Sequence, residues 1–138
     1  DNSFDPAEFA GGAQGAFEMI VQAFAEGDAD TLKNLLADDV FENFNDAIED
    51  RAEAEQSLET TIIGIKSADI VEAEMNGKTA AVTMKFVSEQ VNVTRDSEGR
   101  VVDGDPNQVT TITDIWTFSR DTKSRDPNWF LVETRSQN

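Results

Sequence analysis

Through the first third of the chain, apolar residues fall at helical spacing; through the remainder they fall at strand spacing. Phe9, Ala13, Phe17, Ile20, Val21 and Phe24 form a single stripe, which predicts a helix with one buried face. Its start is signalled by the run FDPAEF. Asp5 suits the N-cap, Pro6 the first helical position and Glu8 the third, while Phe4 and Phe9 stand where a hydrophobic staple closes. Gly27 suits the stop. Gly11, Gly12 and Gly15 each weaken the first half by up to ~1 kcal/mol relative to Ala, so that half is expected to bend or to pack closely on a partner. Asp28 or Asp30 can cap a short second helix carrying Leu32, Leu35 and Leu36. Asp38 or Asp39 can cap a third, which carries Val40, Phe41, Phe44 and Ile48 and fades into the charged run EDRAEAEQ.

After residue 57 the period changes. The run LETTIIGIKSADIVEAEM is rich in β-branched residues and ends at a hairpin signal, Asn76-Gly77. The next run has apolar residues on even numbers (Ala80, Val82, Met84, Phe86) and then on odd ones (Val87, Val91, Val93). A phase slip inside one long strand predicts a β-bulge there and a sharply bent sheet. DSEGRVVDGDPNQ reads as a polar loop, VTTITDIWTFSR as a third strand and NWFLVETR as a fourth. Helices first and antiparallel strands after give an α+β domain covering residues 1–138. Its helices would cross the concave face of a curved four-stranded antiparallel sheet, making a cone whose mouth can be a pocket.

Composition narrows the chemistry. The chain has no Cys, so disulfides and thiolate metal sites are excluded. It has no His and no Tyr, which removes the imidazole and phenol used for proton transfer and leaves Ser without an activating base. The formal net charge of −17 argues against nucleic acid, whose phosphates need Lys and Arg, and against unaided docking on anionic lipid. No run reaches the length of a membrane span. The chain begins DNSF without Met and is expected to be a processed or trimmed product.

Ile112, Asp114, Trp116 and Phe118 share one face of the third strand. Asp114 is therefore a carboxylate on an aromatic face. It could serve as a desolvated base, or sit at the rim paired with an Arg or a backbone N–H; without His, Tyr or a second acid, the second reading is preferred. Phe86, Asp114, Trp116 and Phe118 are the expected pocket residues, and Trp116 and Trp129 are expected in the core or on the pocket wall. Asp96, Glu98, Asp103 and Asp105 are oxygen donors in one loop, but their spacing fits turn chemistry better than Ca²⁺ binding, so no metal or cofactor is expected. Arg120, Lys123 and Arg125 crowd the last hairpin and form the candidate partner-contact patch, with salt bridging to Asp121, Asp126 and Glu133 as the alternative.

The segments GIKSADIVEAEMNGKTAAVTMKFVSEQVNVTRD, DGDP and DIWTFSRDTKSRDPNWFLVETR carry a resemblance. The chain resembles bacterial, in particular alphaproteobacterial, proteins with the domain named for the forty-four-kilodalton subunit of the mitochondrial inner-membrane translocase. VSEQ, DIWTF and RDPNW are the most specific parts, and the likeness runs from FDPAEF over almost the whole chain. The resemblance implies a cystatin-like, nuclear-transport-factor-two-like α+β fold. It implies an N-terminal tether ahead of this domain and a membrane-associated adaptor, peripheral or tethered at the bacterial inner membrane. The mitochondrial relative is an adaptor that binds anionic lipid and joins the translocation channel to the chaperone motor. A net charge of −17 does not suit anionic lipid, so that property is not carried over.

The reading is therefore a non-enzymatic scaffold for a protein partner, a translocation or chaperone component, or for an apolar group. A homodimer built on an exposed sheet face is a further expectation. The alternative is a small-ligand-binding protein or an isomerase or dehydratase of the same superfamily, working through Asp114.

Overall fold

The structure is a computed structural model that describes residues 4–137. Its order is α1 (Pro6–Glu26), α2 (Ala29–Lys33), α3 (Asp38–Glu53), β1 (Ser57–Asn76), β2 (Thr79–Arg95), β3 (Val101–Gly104), β4 (Thr110–Asp121) and β5 (Phe130–Ser136). It is α+β, with N-terminal helices packed on a curved antiparallel sheet.

The N-terminal signals act as their chemistry requires. Asp5 Oδ1 accepts from the amides of Ala7 and Glu8, and the rings of Phe4 and Phe9 meet at 5.7 Å. Gly27 closes α1 in the left-handed region, at φ 72°. The helix runs unbroken past Gly11, Gly12 and Gly15, and a Cβ at any of them would meet nothing within 4 Å, so none of the described elements packs closely there. Asp28 caps α2 through the Thr31 amide. Neither Asp38 nor Asp39 caps α3. Its N-cap is Ala37, whose N–H donates to the Leu131 carbonyl in β5. A tertiary hydrogen bond has taken the place of a local cap.

The sheet has five strands, in the order β1-β2-β4-β5, with β3 continuing the β4 side of β2. The expected loop at 96–108 thus contains a short strand. β1 and β2 form one long hairpin turning at Gly77-Lys78, one residue later than expected. The bulges are not in β2, whose register with β4 is unbroken from Thr79 to Gln90. Three lie in β1, where Ile63, Lys66 and Val71 are each extra to the β2 partner, and the register also shifts at Val102 in β3 and Val132 in β5. The even-numbered inner face of β2 simply continues through two polar residues, Ser88 and Gln90, both buried. Beyond β5, Leu36 bridges Leu131, and Leu131 N–H donates to the Leu35 carbonyl.

The core forms where the stripe of α1 meets the inner faces of β2 and β4. The Phe17 ring stacks on Phe86 at 4.5 Å and meets Trp116 at 4.7 Å. Phe118 and Trp129 extend the aromatic row to Phe9.

Candidate functional site

The core does not fill the whole of the concave face. Towards the start of β1 and β4 and the end of β2, a cavity of about 370 Å³ remains. Helix α1 roofs it with Ile20, Val21 and Phe24, and α3 adds Asn43, Phe44 and Ala47. The floor is Ile112, Asp114 and Trp116 of β4, beside Gln90 and Asn92 of β2 and Leu58 and Thr60 of β1. Strand alternation points these β4 side chains the same way, and the helical period turns the α1 stripe down onto them.

A chain of hydrogen bonds runs along the floor. Gln22 Nε2 donates to the Thr60 carbonyl at 3.0 Å, and Thr60 Oγ1 donates to Asn92 Oδ1 at 2.6 Å. Asn92 Nδ2 donates to Gln90 Oε1 at 3.0 Å, and Gln90 Nε2 donates to Ser88 Oγ at 2.9 Å. These bonds allow Ser88 and Gln90 to be buried on an otherwise apolar face. Asp114 stands outside the chain. Its carboxylate makes no hydrogen bond or ion pair to a side chain among the described residues, and burial holds its carboxyl above the usual carboxylate range.

Of the expected pocket residues, Asp114 and Trp116 line this cavity. Phe86 and Phe118 do not. They are fully or almost fully buried, because Phe17 and Phe9 of α1 lie against them and close the hollow at mid-sheet. The polar floor and the α3 wall were not among the expected site residues. The signal for the floor was present, since Ser88 and Gln90 keep the even phase of Val82, Met84 and Phe86. On α3 the apolar stripe marks Phe44, but no sequence signal marks Asn43 or Ala47.

Arg120, Lys123 and Arg125 do not form one patch. Arg120 shares the inner face of β4 with Trp116 and Phe118, and its Nε is buried without a partner. It lines a second cavity, of about 430 Å³, near Phe4, Phe9, Met75 and Trp129. Lys123 and Arg125 are exposed in the β4–β5 loop. Among the described residues none of the three forms an ion pair; Asp121 pairs with Lys78 at 3.6 Å instead. In the β2–β3 and β3–β4 loops Asp96 and Asp105 serve turns. Asp96 Oδ1 accepts from the Glu98 and Arg100 amides, and Asp105 Oδ1 accepts from the Asn107 amide.

Chemically, the Asp114 cavity can enclose an apolar group and present one carboxylate to it. Among the described residues, Asp114 is the only titratable one on its walls. No helix among the described residues is long and apolar enough to cross a membrane.

Residues 1–136 match the Tim44-like domain. A probable mitochondrial import inner membrane translocase subunit, tin-44, of Caenorhabditis elegans is 25% identical over 121 residues, covering 86% of this chain and 28% of that protein. The mitochondrial import inner membrane translocase subunit TIM44 of Mus musculus is 24% identical over 116 residues, covering 83% of this chain and 26% of its own length. The chain thus spans about a quarter of these relatives. Among solved structures, the intermembrane space region of the chloroplast protein ARC6 superposes with a TM-score of 0.62 at 13% identity, over 96% of both chains, a likeness of fold.

Proposed function

We propose, from the premise that this chain belongs to the Tim44-like domain family, that it is a non-enzymatic adaptor serving protein transport at a bacterial inner membrane. Its relatives in mitochondria are subunits of an import inner membrane translocase, which supports a role related to transport. The observation that carries the reading is the Asp114 cavity, an apolar hollow with one carboxylate and, among the described residues, no second proton-handling group on its walls. Holding a ligand needs shape, apolar surface and a few placed polar groups. Moving protons through a reaction needs an acid and a base of suited pKa, and the chain has no His or Tyr to serve.

Crosslinking from membranes with the full-length protein tests this reading. Recovery of a translocation component or chaperone is the expected result. Turnover of a small apolar ligand, with neither of these recovered, would overturn it. One feature favours a second reading, an isomerase or dehydratase. The desolvated Asp114 carboxylate is a stronger base than an exposed one. Under that reading Asp114→Asn abolishes turnover in a folded protein.

A further inference from the structure

Asp114 shares the walls of the cavity with Phe24, Phe44 and Trp116, and its charge decides what the cavity can hold. An anionic group would meet a carboxylate in a poorly solvated hollow and be repelled. A purely apolar group can be enclosed, but it strips water from Asp114 and leaves the carboxyl either unpaired or obliged to take up a proton, which weakens its binding. A cation does neither. It offsets the carboxylate in a poorly solvated site.

We propose that the cavity receives the charged head of one lysine or arginine side chain from a bound protein segment, with Asp114 as its counter-ion. The inference rests on the adaptor reading and names the chemistry of the contact. Among the described residues no Lys or Arg lines the cavity, so the position of the cation is open to an incoming group. Arg51, the cation packed on Phe24 at 5.1 Å, is already committed to the carbonyls of Phe24 and Ala25. Gln90 Oε1 and Asn92 Oδ1 each accept one bond within the floor, and a carbonyl oxygen has a second lone pair for a further N–H. The methylene stem of such a side chain would lie against Ile20, Val21 and Ala47. At long range the net charge of −17 draws basic segments towards the molecule.

n-Pentylammonium, which carries the alkylammonium end of a lysine, tests the contact directly. Binding is followed by NMR shifts of the Trp116 indole and the Asp114 amide, with n-pentanol and pentanoate as matched controls. The ammonium is expected to bind about tenfold or more tightly than the alcohol, and pentanoate not to bind. Asp114→Asn is expected to remove the preference and leave the alcohol unaffected. Equal binding of ammonium and alcohol, an unchanged preference in Asp114→Asn, or no shift with the ammonium would each overturn the proposal. The membrane crosslinking separates the two readings. If wild type and Asp114→Asn recover the same translocation component equally, the adaptor stands and the cation contact falls. If wild type recovers none while the ammonium preference is seen, the contact stands and the adaptor falls.

Discussion

At the scale of single residues, Asp114 and Phe17 show opposite trades. Phe17 is fully buried and touches both Phe86 and Trp116, so it stabilises the fold through packing alone. Phe17→Ala should destabilise by about 3–5 kcal/mol, read as a drop in the urea midpoint. A loss below about 1 kcal/mol would mean that the rings close over the gap. Asp114 instead opposes folding. Its carboxyl is raised from the ordinary 3.8 by burial, so the folded state holds the proton more tightly than the unfolded chain. Stability therefore falls as pH rises from that ordinary value through the raised one, and the deficit is complete above it. Asp114→Asn removes the deficit. It should raise Tm at pH 7, and the gain should fade as the pH is lowered towards 3.8. A variant less stable than wild type at pH 7 would show that the carboxylate makes a favourable contact.

At the scale of elements, the joins matter more than the elements themselves. The last turn of α1 contains no basic residue, yet its C-terminus carries partial negative charge. Arg51 of α3 supplies the cation, donating through Nη2 to the Phe24 and Ala25 carbonyls at 2.7 and 3.2 Å. Arg51→Met should cost about 1–3 kcal/mol, measured by urea unfolding, and no change would show that water replaces the guanidinium. Gly104 is the second join. Its φ is +83°, and a Cβ there would lie 2.1 Å from the Asn92 carbonyl oxygen. Gly104→Ala should therefore release β3 from β2, seen as faster amide exchange confined to residues 93–104, and unchanged exchange would contradict the placement.

These joins explain what could be read in advance. Signals contained within one turn of chain were legible, such as the Asp5 cap, the Phe4–Phe9 staple and the Gly27 stop. So was the pairing of Asp114 with Trp116, because strand alternation needs no tertiary information. The α3 cap was misread because Ala37 is held by Leu131, nearly a hundred residues away in sequence. The bulges were assigned to β2 because Ser88 and Gln90 look solvent-facing until their hydrogen bonds are known. β3 went unseen because all four of its residues are exposed, so no apolar alternation marks it. Beyond Phe44, the α3 side of the cavity depends on how that helix is docked, which no local pattern encodes.

At the scale of the whole molecule, charge and sheet shape set the behaviour. A net charge of −17 on a chain of 15.2 kDa repels itself in the compact state. Salt shortens the reach of that repulsion, from about 30 Å at 0.01 M to about 3 Å at 1 M. Tm should rise steadily over that range of sodium chloride; a flat or falling curve would mean that the surface ion pairs, such as Arg95–Glu59, outweigh the repulsion. The three extra residues of β1 have a further consequence. An outermost strand twenty residues long would otherwise present a continuous row of backbone donors and acceptors on which a second molecule could polymerise. The bulges interrupt that row, and the Leu35–Ala37 segment occupies the opposite border at Leu131. Edge-to-edge pairing that would zip crowded molecules into fibres is thereby disfavoured along β1.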